Sequence, residues 1–433
     1  MLKKISCLLV STLIILSNLF AENDPQKQEE QISLSTYKLS GGFARVWSFG
    51  YDFPVPAYQY NFFIKDPFFI SFNPALSSSY SNFLWGDIGS NAGDDFGGFN
   101  QNAGFLFEIQ DGLTLGALLS RNDYMGGPLH RIDPYGIIST INSNRPGPNV
   151  ITPANNLTFI GSYELEEDFS IGFGLSYISS SNEVKPAGQR TFEANYSQFG
   201  ISVGSLYKLD QLYFDGSLSM IFMSADSKDP NTRTFEGSAS NFNLLGRTFY
   251  EYANNLNFVG VLQYVTSSGS VKDRIVNGTS TTSDLSSKTY YSLSAGINYS
   301  KDRFLFAGGI TYACSSTTFP KVRNVSPELT NSDCYFPLWQ LGLEYLAVDW
   351  LILRAGYISA NLSTTLETAA SSTTKNKSSY NQYLPGGVNL GIGLRFGTFS
   401  LDAFISEEVL RQGFNLIGGG TRTFAYISAS YAF

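Results

Sequence analysis

Residues 168–179 read "DFSIGFGLSYIS". Phe169, Ile171, Phe173, Leu175 and Tyr177 fall on one parity, and Ser170, Gly172, Gly174 and Ser176 on the other. Alternate side chains of a β-strand point to opposite faces, so the segment is a strand with one large apolar face and one small polar face. A soluble sandwich also alternates, but it turns its apolar face inward and sets a Lys/Glu-rich face against water. Here the second face carries Gly and Ser, and elsewhere in the chain that parity holds only scattered charges such as Glu108, Glu164, Asp215, Glu344, Arg395 and Asp402. An apolar face toward lipid and a small polar face toward a lumen account for both halves of the pattern.

The pattern recurs in "NNLTFIGSYEL" (155–165), "YYSLSAGINY" (290–299), "LWQLGLEYL" (338–346) and "GVNLGIGLRF" (387–396). Tight polar links join such strands at "QDG" (110–112), "EED" (166–168), "LDQ" (209–211), "ANN" (253–255), "KD" (301–302), "VD" (348–349) and "GT" (397–398). Long connections rich in Ser, Thr, Asn, Gly and Pro alternate with them at 122–154, 181–194, 225–240, 268–287, 314–334, 361–385 and 408–421. Short turns on one side, long loops on the other and strands of about ten residues are the signature of a transmembrane up-and-down antiparallel β-barrel. The fold class expected is therefore all-β, with 14–16 strands. Counting turn-linked pairs, the terminal strand and a first strand between 76 and 92 favours sixteen. Fourteen applies if 242–264 is not two full strands.

The chain starts with Lys3 and Lys4, the apolar run 5–16 and "SNLFA", which reads as a secretory signal peptide over 1–21. The run is shorter than the roughly 20 residues that span a bilayer. The expected location is the bacterial outer membrane. Only Cys314 and Cys334 remain after the leader, and an even count in an exported protein predicts one disulfide between adjacent strands. A net charge of −8 argues against nucleic acid as a partner. Nothing has the spacing of a nucleotide or metal site, no cofactor is expected, and the lone His130 in "MGGPLHRIDPYG" reads as a solvated loop residue. The reading is of a protein that is not an enzyme.

Residues 22–75 break the hairpin rhythm. They are polar to about residue 40 and then strongly aromatic, "FARVWSFGYDFPVPAYQYNFFIKDPFFISFNPAL" (43–76), with prolines that interrupt any long strand. So aromatic a segment needs a surface to bury against. The expectation is an N-terminal plug over 22–75 inside a barrel over 76–433.

Asn73-Pro74-Ala75 before the first strand, "LTLGALLSRNDYMGG" (113–127), "NNLTFIGSYELEEDFSIGFGLSYIS" (155–179) and the terminal "SYAF" resemble the long-chain fatty-acid transporter (FadL-like) family of outer-membrane proteins. The resemblance implies a passive channel for a hydrophobic small molecule, with a plug whose junction with the barrel is Asn73, Pro74 and Ala75. It also implies lateral release into lipid past a kinked strand, which by position is 113–121 with Gly116. The residues add a candidate apolar lumen path: Leu118, Ile160, Leu206, Phe404, Phe424 and Tyr426 sit on the lumen parity but are not polar. A general diffusion porin, which lines its pore with charge, and a secretion-shuttle barrel binding a protein partner share the same layout. Finally, "RTFAYISASYAF" (422–433) alternates to the last residue. Tyr431 and Phe433 are expected in the lipid-facing aromatic girdle, and a terminal Phe resembles the signal read by the outer-membrane barrel assembly machinery.

Overall fold

The computed structural model of the chain describes residues 41–50, 60–89, 99–121, 124, 126–185, 187–188, 190–276, 278–321, 327–369, 374–405 and 424–433. The expected signal peptide and residues 22–40 and 51–59 of the expected plug lie outside them. Among the described residues one antiparallel sheet contains β1 (Phe83–Gly89), β2 (Phe99–Gln110), β3 (Leu113–Arg121), β4 (Asn155–Glu166), β5 (Phe169–Val184), β6 (Phe192–Leu209), β7 (Leu212–Asp229), β8 (Arg233–Ala253) and β9 (Leu256–Ile275). It continues through β10 (Ser280–Asp284), β11 (Ser287–Lys301), β12 (Phe304–Phe319), β13 (Leu329–Val348), β14 (Leu351–Ala369), β15 (Lys375–Phe396), β16 (Phe399–Ile405) and β17 (Phe424–Ala432). β10 pairs with β9 alone, and β9 also pairs with β11, so the wall itself has sixteen strands. β8 and β9 are both full strands, of 21 and 20 residues, which settles the count at sixteen.

The faces follow the parity. On β5, Ile171, Phe173, Leu175 and Tyr177 are 41–63% exposed, whereas Ser170 and Ser176 are 5% and 1% exposed. The apolar side chains stand on the outside of the ring, where only hydrocarbon accepts them. At one end the strands are joined by tight turns, and Gly112, Asp210, Asn255, Asp302 and Gly397 adopt positive φ there. Gly, Asn and Asp are the residue types that tolerate that conformation.

At the other end the structure corrects the expected loops. β5 runs to Val184, β7 to Asp229 and β15 starts at Lys375, so much of 181–194, 225–240 and 361–385 is strand. The connection expected at 225–240 shrinks to the turn 230–232. Beyond the lipid both faces meet water, so the apolar alternation lapses while the backbone ladder continues with Ser and Thr in it. Cys314 and Cys334 lie opposite each other on β12 and β13 and are joined by a disulfide with Cα atoms 4.1 Å apart.

β17 closes the ring on β1, from Phe83↔Ala432 to Gly89↔Tyr426. The Phe433 N–H donates to the Asn82 carbonyl at 3.0 Å. Its ring stacks on Tyr431 with centroids 6.1 Å apart and meets Phe107 of β2 at 5.3 Å. Tyr431 and Phe433 are 44% and 51% exposed on the outer face. Deleting Phe433 is expected to lower the amount of assembled barrel in the outer-membrane fraction several-fold, read as the heat-modifiable band on a gel. An unchanged band would remove the assembly role from this residue.

Candidate functional site

The lumen is filled from within by the chain's own N-terminal segment. Helix α1 (Phe43–Ser48) and two 3-10 turns, Pro67–Ser71 and Pro74–Tyr80, lie inside the ring. Phe43, Phe49, Tyr60, Phe63, Phe68, Phe69, Ile70 and Ala75 are each at most 4% exposed. They form one cluster with inner-wall Leu118, Ile160, Leu206, Leu245, Phe249 and Tyr426. Aromatic segments of this kind cannot stay in water, and a lumen of small residues gives them room. The barrel proper starts at Phe83, because the turn that begins at Pro74 stays with the plug as far as Tyr80.

The inward glycines are the sockets of the plug. A β-carbon on Gly356 would lie 2.4 Å from the Gly50 nitrogen and the Ser48 carbonyl oxygen; one on Gly342 would lie 2.1 Å from the Phe49 ring. Gly391 approaches Ser48 in the same way. Asn73, Pro74 and Ala75 use Gly204 and Gly172. Added β-carbons there would come within 1.9 Å of Asn73 Oδ1 and 2.2 Å of the Ala75 nitrogen. Asn73 Oδ1 caps its turn by accepting from the Ala75 N–H at 3.0 Å, while Asn73 Nδ2 donates to the Ser205 carbonyl at 3.0 Å. The motif thus starts the last turn of the plug and ties it to β6.

Two sets of buried ions fasten the rest. Arg45 of α1 pairs with Asp66 at 2.8 Å and with Glu344 of β13 at 2.9 Å. Glu344 continues to Arg354 of β14 at 2.6 Å, Arg354 to Asp402 of β16 at 2.7 Å, and Asp402 to Arg395 of β15 at 2.9 Å. Three carboxylates alternate with three guanidiniums, so the set is neutral. On the opposite wall Arg247 of β8 pairs with Asp215 of β7 at 3.0 Å, donates to the Ile64 carbonyl at 3.0 Å and lies 4.1 Å over the Phe69 ring. The Arg247 side chain is fully buried. Removing one partner of such a pair strands the other charge and costs about 3–5 kcal/mol. Further bonds run from Asn298 Nδ2 to the Phe63 carbonyl, and from the Phe43 and Ala44 N–H groups to Asp87 and Ser428.

A second body covers the mouth. Residues 126–154 fold inward, with α2 (Ile137–Asn144) capped by Asp133, whose carboxylate accepts from the N–H groups of Gly136, Ile137 and Ile138 at 2.8–3.0 Å. Leu129, Ile137 and Ile141 pack on inner-wall Ile178, Tyr196, Ile221 and Val271. This lid touches the plug, since the Gly127 N–H donates to Ser71 Oγ at 3.0 Å. His130 is not solvated as expected. It is 1% exposed against Tyr124 because the lid folds into the lumen, and burial pushes its pKa down to about 3.

Other expectations fall as follows. Leu118, Ile160, Leu206 and Tyr426 are packed into the plug cluster, and Phe404 meets Trp47 of the plug at 5.4 Å. The side chain of Phe424 lies outside the described residues. The strand implied to be kinked is not. β3 pairs without interruption from Leu113↔Tyr163 to Arg121↔Asn155, and on its other edge from Asn102↔Ser120 to Glu108↔Thr114, straight past Gly116. Arg45, Asp66, Arg247 and Arg354 were not singled out from sequence. Register counted from the turns at 348–349 and 209–211 does set Arg354 near Glu344 and orders β7, but nothing local announces that Arg45 reaches β13.

No family model and no curated protein matches the chain. Among solved structures it is similar to the outer-membrane transporter YddB from Escherichia coli, with 9% identity, 81% of each chain covered and a TM-score of 0.35. It is also similar to the toluene transporter TodX from Pseudomonas putida, with 13% identity, 86% of this chain and 95% of that one covered, and a TM-score of 0.35. The site described above stands on the chain's own geometry.

Two outcomes follow from this packing. Gly356→Val is expected to displace α1 and expose the plug to added protease. Gly260→Val, where an added β-carbon meets nothing within 4 Å, is expected to leave it protected. Equal protection in both variants would remove the socket role. For the lid, His130 is held neutral with a pKa below its ordinary value of 6.5, so its contribution is whole above about pH 6.5 and is lost as the pH falls toward its folded value. Protection factors over 126–154, with the exchange rates corrected for the intrinsic pH dependence of amide exchange, are expected to fall between about pH 7 and 5 in the native protein and to lose that fall in His130→Phe.

Proposed function

We propose that the protein is an outer-membrane channel for passive uptake of hydrophobic small molecules, long-chain fatty acids being the class implied by the family resemblance. The observation that carries the reading is the content of the lumen. A water-filled pore presents charge to its solute, whereas here the lumen charges named above are spent on one another and on the plug. What remains at the plug and under the lid is hydrocarbon and aromatic surface in contact with Ser and Asn side chains. Such an interior admits an apolar molecule that can exchange places with plug or lid side chains, and it resists ions. An exported leader, delivery by the assembly machinery and the surrounding outer-membrane lipid belong to the same proposal.

Expression in cells that lack their own hydrophobic-solute channel tests it. Accumulation of a fluorescent long-chain fatty acid is expected to rise several-fold with no rise in permeation of a hydrophilic sugar. A rise in sugar permeation alone would replace this reading with the porin.

A further inference from the structure

Between the plug, the lid and the wall lies a small, partly open cavity, lined by Phe72, Pro128, Arg131, Ser219, Asn243 and Gln263 among others. Its free space is about that of one water molecule. Gln263, on the lumen face of β9, is 3% exposed, and its Oε1 has no hydrogen-bond partner among the described residues. A buried acceptor left unpaired is costly, and this one faces the cavity; His130 Nδ1 and Asn156 Oδ1, elsewhere around the lid, also have no partner among the described residues. Ser219 and Asn243 are also buried beside it, at 2% and 7% exposure. Arg131 enters from the lid, anchored by its Nε donating to the Gly126 carbonyl at 3.1 Å. Phe72 of the plug and Pro128 of the lid give the remaining walls carbon.

We propose that this cavity seats a single hydroxyl group carried by an otherwise apolar ligand; the proposal rests on the channel reading above and names its substrate class. Three features select the group together. The orphan Gln263 oxygen needs a donor, and a hydroxyl has one O–H to give. Arg131 and the Ser219 hydroxyl are donors, and the same hydroxyl has lone pairs to accept from them. The space takes one heavy atom. A carboxylate accepts only, so it leaves Gln263 unpaired, and it brings two oxygens. An ammonium donates only and meets the Arg131 guanidinium. A bare hydrocarbon leaves every polar atom as it is. The carbon body of an alcohol or phenol then lies on the Phe72 and Pro128 side, in the seam where lid meets plug.

The full chain in lipid nanodiscs, with empty nanodiscs subtracted, is tested by competition of 1-decanol, decanoate and decane against tritiated 1-decanol. In the native protein 1-decanol is expected to compete at about tenfold lower concentration than either of the others, the effect of one buried hydrogen bond. Gln263→Met, similar in shape and without the acceptor, is expected to abolish that advantage, and Gln263→Glu, which keeps an acceptor, to retain it. Assembly of both variants is checked by heat-modifiable mobility. Decanoate matching 1-decanol in the native protein overturns the proposal, as does an advantage that survives in Gln263→Met; in both cases the channel reading stands, because the compounds still bind. Absence of specific binding by all three overturns both.

Discussion

A backbone amide in hydrocarbon has no water to turn to, and each unpaired one costs several kcal/mol. That constraint shapes this chain from end to end. It requires every spanning strand to have two neighbours, which is why β17 runs to Ala432 and closes on β1. It requires an outer face that hydrocarbon accepts, which fixes Ile171, Phe173 and Leu175 on the outside. With the strand period at two, the inner face is left to whatever the lumen must hold.

What the lumen holds is a second core, built backwards from the usual one. In a soluble domain large apolar side chains from the framework meet in the middle. Here the framework contributes Gly, Ser and Asn with a smaller set of large side chains such as Leu206, Phe249 and Tyr426, and most of the aromatic rings arrive on a separate segment that carries Phe43, Phe49, Phe63 and Phe69. The glycines of the inner face are therefore not slack in the wall. Gly172, Gly204, Gly342, Gly356 and Gly391 are close approaches between two backbones or between a backbone and a buried side chain. The charges are not a pore lining either. Asp66, Arg45, Glu344, Arg354, Asp402 and Arg395 alternate in sign across the plug and four strands. A burial so deep is tolerable only because each charge has an opposite one beside it. Arg45 has its two carboxylates, Asp66 and Glu344, converging on one place.

Plug and lid are two parts with different fastenings. The plug is pinned by buried ion pairs and glycine sockets. The lid rests on aliphatic packing and on bonds from side chains such as Asp133 and Ser71 to its backbone. Contacts of the second kind open at lower cost than a buried charge network does. The two meet where the Gly127 N–H donates to Ser71 Oγ.

The alternation "DFSIGFGLSYIS", the tight turns at 110–112, 209–211 and 253–255 and the terminal strand determined the barrel, its inside and outside, and a count of 14–16 strands, because period and turn chemistry are local and repeat many times; that β8 and β9 are both full strands decided sixteen. The disulfide was legible for the same reason, since hairpin order makes Cys314 and Cys334 neighbours. The lengths of the strands beyond the membrane were not, because a Ser/Thr segment paired in water looks like a loop in sequence. Only the tertiary structure decided which glycine receives Ser48 or Asn73, which carboxylates take Arg45, that His130 is buried and that Gln263 is left with an open acceptor. Those contacts join residues tens to hundreds of positions apart across an enclosed space. No periodicity carries that information; it exists once the ring has closed and the N-terminal segment has been forced to pack inside it.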